Sequence, residues 1–140
     1  MATLTETTQQ ILKERFGSDH VLSLATTDGT QPYVRSVNAF YDDRAFYVLT
    51  YDLSGKMKQI ALNPRVAIAG EWFTAQGLGE NLGFFGRSKN AVIAEKMKKV
   101  FAGWIDNGHS NLADEHTCIL KIRLVNGVLF SHGTRYDIDF

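Results

Sequence analysis

Apolar positions along the first half of the chain recur with two different periods. Between residues 5 and 16, Ile11, Leu12 and Phe16 fall at helical spacing among polar residues and Gly17 follows, which predicts an amphipathic helix stopped by glycine. From His20 the pattern turns strand-like. Residues 20–27 form an apolar run, Asp28-Gly29 is a hairpin signal, residues 33–41 form a second strand with Pro32 at its mouth, and Asp42-Asp43 turns the chain into a third strand over 45–50. Turns this short leave no room for crossovers, so the three strands are expected to pair antiparallel.

The second half alternates between the same two periods. Ser54 reads as a helix N-cap, Met57, Ile60 and Ala61 as one apolar face behind it, and Asn63-Pro64 as its stop. Residues 66–72 and 73–82 read as fourth and fifth strands, the latter interrupted by Gly77 and Gly79, with Gly83 just beyond, glycines that signal bulges or close backbone approach. A third helix is expected from Ser88, carrying the stripe Ile93, Met97, Val100, Phe101, Trp104 and ending at Asn107-Gly108. Leu120, Ile122 and Leu124 alternate with Lys121 and Arg123 in a sixth strand over 117–125. Asn126-Gly127 reads as a type I′ turn, and residues 128–131 return as a seventh strand. Seven short strands with three helices predict a mainly β fold, a small antiparallel barrel in one domain spanning residues 1–140.

Composition narrows the functional classes. Fifteen basic residues balance fifteen acidic ones, which argues against a nucleic-acid or anionic-membrane partner. No apolar run reaches membrane-spanning length and the N-terminus lacks the pattern of a signal peptide. With Cys118 as the single cysteine, no internal disulfide is possible, and a cytoplasmic protein is expected. Cys118 lies beside Ile119 and Leu120 and reads as core.

The candidate chemistry concentrates between Arg35 and Lys56. Arg35-Ser36-Val37-Asn38 occupies the second strand, Leu49-Thr50 ends the third, and Ser54-Gly55-Lys56 opens the helix. Two cations, two hydroxyls and a helix start at one strand–turn–helix corner are what a phosphate dianion requires. The corner has neither the glycine run of a Walker A loop nor a G-x-G-x-x-G fingerprint. Elsewhere, the glycine-rich stretch 77–83 reads as a bulged strand end or a flap. His109 and His116 flank a polar loop without zinc-ligand spacing. Trp72 and Trp104 read as core or dimer contacts, and an aromatic such as Trp104 could also cover a ring face. Lys96, Lys98 and Lys99 read as a solvated face.

The run from the Asp-Gly turn through Pro32 to Arg35, followed by Thr50-x-x-x-Ser54-x-Lys56 and the Asn63-Pro64 helix exit, resembles the pyridoxamine 5′-phosphate oxidase-like FMN-binding split barrels over about residues 10–133. The resemblance implies a six- or seven-stranded split β-barrel, a homodimer, and FMN at the subunit interface. It implies that Arg35, Lys56, Ser54 and the helix start around Gly55 hold the phosphate. Ser36, Val37 and Asn38 would follow the isoalloxazine edge, and Leu49 and Thr50 would meet the ring or the ribityl chain. Three departures set the chain apart from the oxidases themselves: Gly55 stands where a basic residue is usual, Phe40 where a substrate-binding lysine is usual, and His132 and Arg135 replace a C-terminal Arg-x-His pair. Pyridoxamine phosphate is therefore not the expected substrate. The tail from Phe130 is expected to dock across the dimer and bring His132 or Arg135 to the partner's flavin pocket. The leading expectation is an FMN-dependent oxidoreductase acting on a small molecule or a reduced nicotinamide. The alternatives are a non-catalytic FMN carrier or sensor, or the same barrel holding haem (with His132 as the candidate ligand) or a deazaflavin.

Overall fold

The predicted run of short antiparallel strands closes on itself in the computed structural model, which describes residues 2–108 and 111–140. The elements are β1 (Ala2–Thr3), α1 (Glu6–Phe16), β2 (His20–Thr27), β3 (Pro32–Asp42), β4 (Ala45–Tyr51), α2 (Gly55–Leu62), β5 (Arg65–Gly70), β6 (Phe73–Phe84), a 3-10 turn (Ser88–Asn90), α3 (Ala91–Val100), β7 (Thr117–Ser131) and β8 (Thr134–Asp139). Strands pair in the order β7-β4-β3-β2-β5-β6, and β6 returns to β7, so six strands form a closed antiparallel barrel. Closure removes the exposed strand edges that a sheet of this size would otherwise present. β8 extends the sheet beyond β7, and β1 pairs with β8 in parallel.

Residues alternate across each strand, so one set of apolar side chains fills the barrel and the other faces out. Leu22 and Leu24 of β2, Val37, Ala39 and Tyr41 of β3, Phe46 and Val48 of β4, and Cys118, Leu120 and Ile122 of β7 belong to the interior cluster. Phe40 and Ile119 point the other way and pack with Met97, Phe101 and Ile105 in a second cluster between α3 and the barrel wall. α1 starts with a reciprocal cap in which Thr5 and Thr8 exchange side-chain-to-backbone hydrogen bonds. Its fully buried Leu12 and Phe16 plug one end of the barrel, while Met57 and Ile60 of α2 close the other. Gly79 lets α2 approach, since a Cβ there would lie 3.0 Å from the Ile60 side chain.

Two local expectations are corrected and two others hold. Asn126-Gly127 is not a turn: β7 runs straight through it as a 15-residue strand. Gly127 is instead squeezed between β6 and β8, where a Cβ would sit 2.8 Å from the Thr74 carbonyl oxygen. The hairpin comes later, at His132-Gly133, whose φ angles of 49° and 77° are left-handed. The helix expected to run to Asn107-Gly108 ends at Val100, and Phe101, Trp104 and Ile105 continue its packing in successive turns. The bulges signalled by the glycines of β6 are present as register shifts at Gln76/Gly77 and between Asn81 and Phe84. Cys118 is core, with no exposed surface.

Candidate functional site

At the α2 end of the barrel the inward-facing positions change from apolar to polar. On β2 the inward series Leu22, Leu24 ends in Thr26. On β3 the series Tyr41, Ala39, Val37 ends in Arg35, and on β4 the series Phe46, Val48 ends in Thr50. α2 lies over this mouth, with Lys56 and Gln59 reaching the same space. The Arg35 guanidinium is held three ways: Nη1 donates to Thr26 Oγ1 at 2.7 Å and to the Leu24 carbonyl at 3.2 Å, and Nη2 donates to Gln59 Oε1 at 2.7 Å. Thr26 in turn donates to Gln59 Oε1 at 2.6 Å. Lys56 Nζ donates to Thr50 Oγ1 at 2.8 Å.

Every acceptor in this network is neutral. Among the described residues neither Arg35 nor Lys56 has a carboxylate partner. Burial lowers the Lys56 pKa, and the nearby Arg35 charge lowers it further; burial also lowers that of Arg35. Two like charges thus share a partly desolvated mouth without a counter-ion, which is costly unless an anion completes the set. A third observation points the same way. Ser54 caps α2 with no side-chain hydrogen bond to the helix, and its buried Oγ has no hydrogen-bond partner. The first-turn N–H groups of α2, those of Gly55 and Lys56 among them, lack intrahelical acceptors by helix geometry and present a positive dipole end. Cations held in place, an orphaned hydroxyl and free amides fit a phosphate dianion.

The predicted residues therefore divide into three groups. Arg35, Thr50, Ser54, Gly55 and Lys56 come together at the mouth. Val37 is buried in the barrel core, and Ser36, Asn38 and Leu49 lie on the outer face of the wall. There Asp19 links two of the predicted residues, accepting from Asn38 Nδ2 at 3.0 Å through one oxygen and from Trp104 Nε1 at 2.8 Å through the other. Trp104 packs on Phe101, with ring centroids 4.8 Å apart. His132 and Arg135 stand apart from the site within the chain, on the hairpin that follows the far end of β7. Arg135 is paired with Asp137, and the tail packs on its own barrel through Tyr136 and Ile138 of β8 and through Phe140 just after it. Trp72, expected in a core or dimer contact, is 70% exposed on the β5–β6 turn with a left-handed φ of 53°. His109 lies outside the described residues.

Sequence reading missed Thr26 and Gln59. Thr26 carried a signal: it is the polar member of an inward-facing apolar series, next to a turn. Gln59 stands three residues after Lys56 on the same helix face, which identifies a neighbour of Lys56 but not of Arg35.

The barrel wall beside the site carries a further feature. Outward positions on β3, β2 and β5 are Val34, Ser36 and Asn38, then Val21, Ser23 and Ala25, then Ala67 and Ala69, aligned by register. These eight positions carry no charged side chain, Arg65 standing beside them at the start of β5, and Val21 and Val34 are 65% and 71% exposed. A large open groove of about 990 Å³ lies elsewhere, between α1 and α3 and beside the β3–β4 turn, with Lys96 paired to Asp42 at its edge. It contains none of the mouth residues.

No family model matches the chain, and no curated protein matches it. Solved structures do. A pyridoxamine 5′-phosphate oxidase-like protein of Listeria innocua superposes with a TM-score of 0.65 at 14% identity, over 92% of this chain and 98% of that one. A FAD-binding protein of Mesorhizobium loti gives 0.67 at 18% identity, over 90% and 94%. A haem storage protein of Vibrio cholerae gives 0.68 at 15% identity, over 92% and 98%. Among the described residues no helix is long and apolar enough to cross a membrane. The closed six-stranded barrel with its flanking helices is the split-barrel fold of the pyridoxamine 5′-phosphate oxidase-like proteins.

Proposed function

We propose that the protein binds FMN through its phosphate at the α2 end of the barrel and acts as a flavin-dependent oxidoreductase on a small molecule or a reduced nicotinamide. The observation that carries this reading is the Arg35–Lys56 pair, uncompensated by any carboxylate among the described residues and set beside the orphaned Ser54 hydroxyl. A flavin-binding neighbour of the same fold supports the choice of a flavin over other phosphate esters. Bound FMN would supply hydride acceptance at its isoalloxazine ring. The chain's own residues would fix the phosphate: Arg35 and Lys56 by charge, Ser54 and the first amides of α2 by donation, and Thr26, Thr50 and Gln59 by holding the two cations in place. Charge-assisted hydrogen bonds of this type contribute about 1.5–3 kcal/mol each.

In the same reading the protein is a homodimer. The outer face of β3, β2 and β5 around Ser23 packs on its counterpart in a second copy and places the flavin ring between subunits, beside Ser36, Asn38 and Trp104. Ser23→Glu, on that face and exposed in one chain, then converts the dimer to a folded monomer by light scattering. An unchanged dimer would remove this face from the interface.

The absorbance spectrum of the purified protein, repeated after adding FMN and desalting, tests the cofactor. Retained stoichiometric flavin, lost in Arg35→Ala and Lys56→Ala, is the expected result. A Soret band in place of flavin absorbance would favour haem, which a haem storage protein of this fold makes the second reading. A flavin retained but never reduced by a nicotinamide would leave a carrier rather than an enzyme.

A further inference from the structure

The turn that delivers Ser54 to the site is stapled to the start of β7 by a carboxylate–imidazole pair. Asp52 lies two residues before Ser54. Its backbone N–H donates to the His116 carbonyl at 2.8 Å, and its side-chain Oδ1 lies 2.8 Å from His116 Nδ1. Ser54 N–H donates to the Tyr51 carbonyl at 3.0 Å, closing the same turn from the other side. The titratable and charged groups around the imidazole are Asp52 on the β4–α2 turn, Tyr51 at the end of β4 (ring centroids 5.6 Å apart), Glu115 at 3.6 Å from Nε2, and Asp114, which accepts the His116 backbone N–H. Among the described residues His116 is the one cationic partner of Asp52.

The turn that carries Asp52 also leads directly into the phosphate corner, since Ser54 follows two residues later. Cys118, two residues along β7 from His116, has its thiol pKa pushed up to about 11 by burial, with Asp52 adding to the rise and Lys56 opposing it. Both charges therefore reach one buried thiol, Asp52 from the turn and Lys56 from α2. An uncompensated Asp52 would oppose the positive end of α2 and repel an incoming dianion. A protonated His116 cancels it.

We propose that the Asp52–His116 pair is a proton-operated control on the anion affinity of the α2 corner, tight with His116 charged and weak with it neutral. The inference rests on reading that corner as a phosphate site. Sign follows from linkage: affinity falls as pH rises through the imidazole titration, and a bound anion raises the proton affinity of His116 by the same factor.

Sulfate is a suitable probe, because it stays a dianion from pH 5.5 to 8.5 and contributes no titration of its own. Its affinity for the full chain, read from the amide shifts of residues 54–56, is expected to fall roughly fivefold across that range, at the lower end of usual site–site couplings. The His116 titration midpoint, followed by NMR, is expected to rise with sulfate. Asp52→Asn is expected to tighten sulfate binding most at high pH, where the wild type is weak, and His116→Gln to abolish the slope at the weak level. A mere structural staple would weaken binding in both variants, and that outcome, or a flat wild-type profile, overturns the proposal. Sulfate bound with the expected slope but FMN not retained would sink the flavin reading and keep this one. FMN retained with identical pH profiles in wild type and His116→Gln would do the reverse. No binding of either anion removes both.

Discussion

The two ends of the barrel are closed by helices on opposite principles. At the α1 end the plug is aromatic and dry. Phe16 meets Phe46 edge-on at 5.7 Å, Phe46 meets Tyr41 at 5.6 Å, and Phe73 lies against both phenylalanines. The Tyr41 hydroxyl brought in with it is used twice: it donates to Gln9 Oε1 and accepts from the Arg44 backbone N–H. At the α2 end the plug is cationic and incomplete, with two unneutralised charges and a buried hydroxyl lacking a partner. Buried polar groups are normally satisfied, so an end that leaves them open is built around something else. In the proposed reading one end supplies stability, and the other gives some of it up for a ligand.

Substitutions that separate the two ends test this division. The largest effect is expected at the dry end. Phe46→Ala removes a side chain with no exposed surface from the aromatic cluster, and should cost about 3–5 kcal/mol in urea unfolding. The folded fraction should still bind FMN with near wild-type affinity. At the other end Arg35→Ala should weaken FMN binding by about 10- to 150-fold, the equivalent of one charge-assisted contact, and hardly change the unfolding midpoint. A Phe46→Ala protein that binds FMN poorly, or an Arg35→Ala protein that unfolds early, would show that the ends are coupled. Smaller again is Lys56→Met. It removes a partly desolvated charge repelled by Arg35, so the ligand-free protein should gain roughly 0.5–2 kcal/mol while losing FMN. Gain of stability with loss of binding is the signature of a site whose charge waits for a partner.

How much of this was legible in the chain depends on how local each signal is. The period-two alternation of β2, β3 and β4 and their short turns specify an antiparallel wall, and that wall is present with the expected order. The spacing from Arg35 to Lys56 brought the two cations to one corner because strand, turn and helix follow one another directly. Asn126-Gly127 misled, since a good turn dipeptide was overruled by pairing on both sides of β7, where glycine is required for close approach. The tail carried a signal in plain sight: Tyr136, Ile138 and Phe140 alternate like a strand, and all three pack on the barrel cluster, the first two from β8 and Phe140 just beyond it. Thr26 and Gln59 could not be tied to Arg35 from sequence, because their meeting depends on the register of β2 against β3 and on the rotation of α2 over the mouth.

The smallest effect sharpens the contrast most directly, because it reads the open charge through its own protonation. Burial and the neighbouring Arg35 hold the Lys56 ammonium below its ordinary value near 10.5. Between that lowered value and the ordinary one, the unfolded chain binds more protons than the folded one, so the lysine makes stability rise with pH through that window. Cys118, pushed up to about 11, acts in the opposite direction above its own ordinary value, so the raw alkaline profile mixes the two. The difference in unfolding free energy between wild type and Lys56→Met, followed from pH 8 upward, isolates the lysine. It should shrink as pH rises, because wild type sheds the charge the variant never had. Saturating FMN should abolish that convergence, since a bound phosphate holds the ammonium charged and returns its pKa toward the ordinary value. A difference that stays constant with pH would mean that the charge at the α2 end is already solvated and that the mouth is not waiting for an anion.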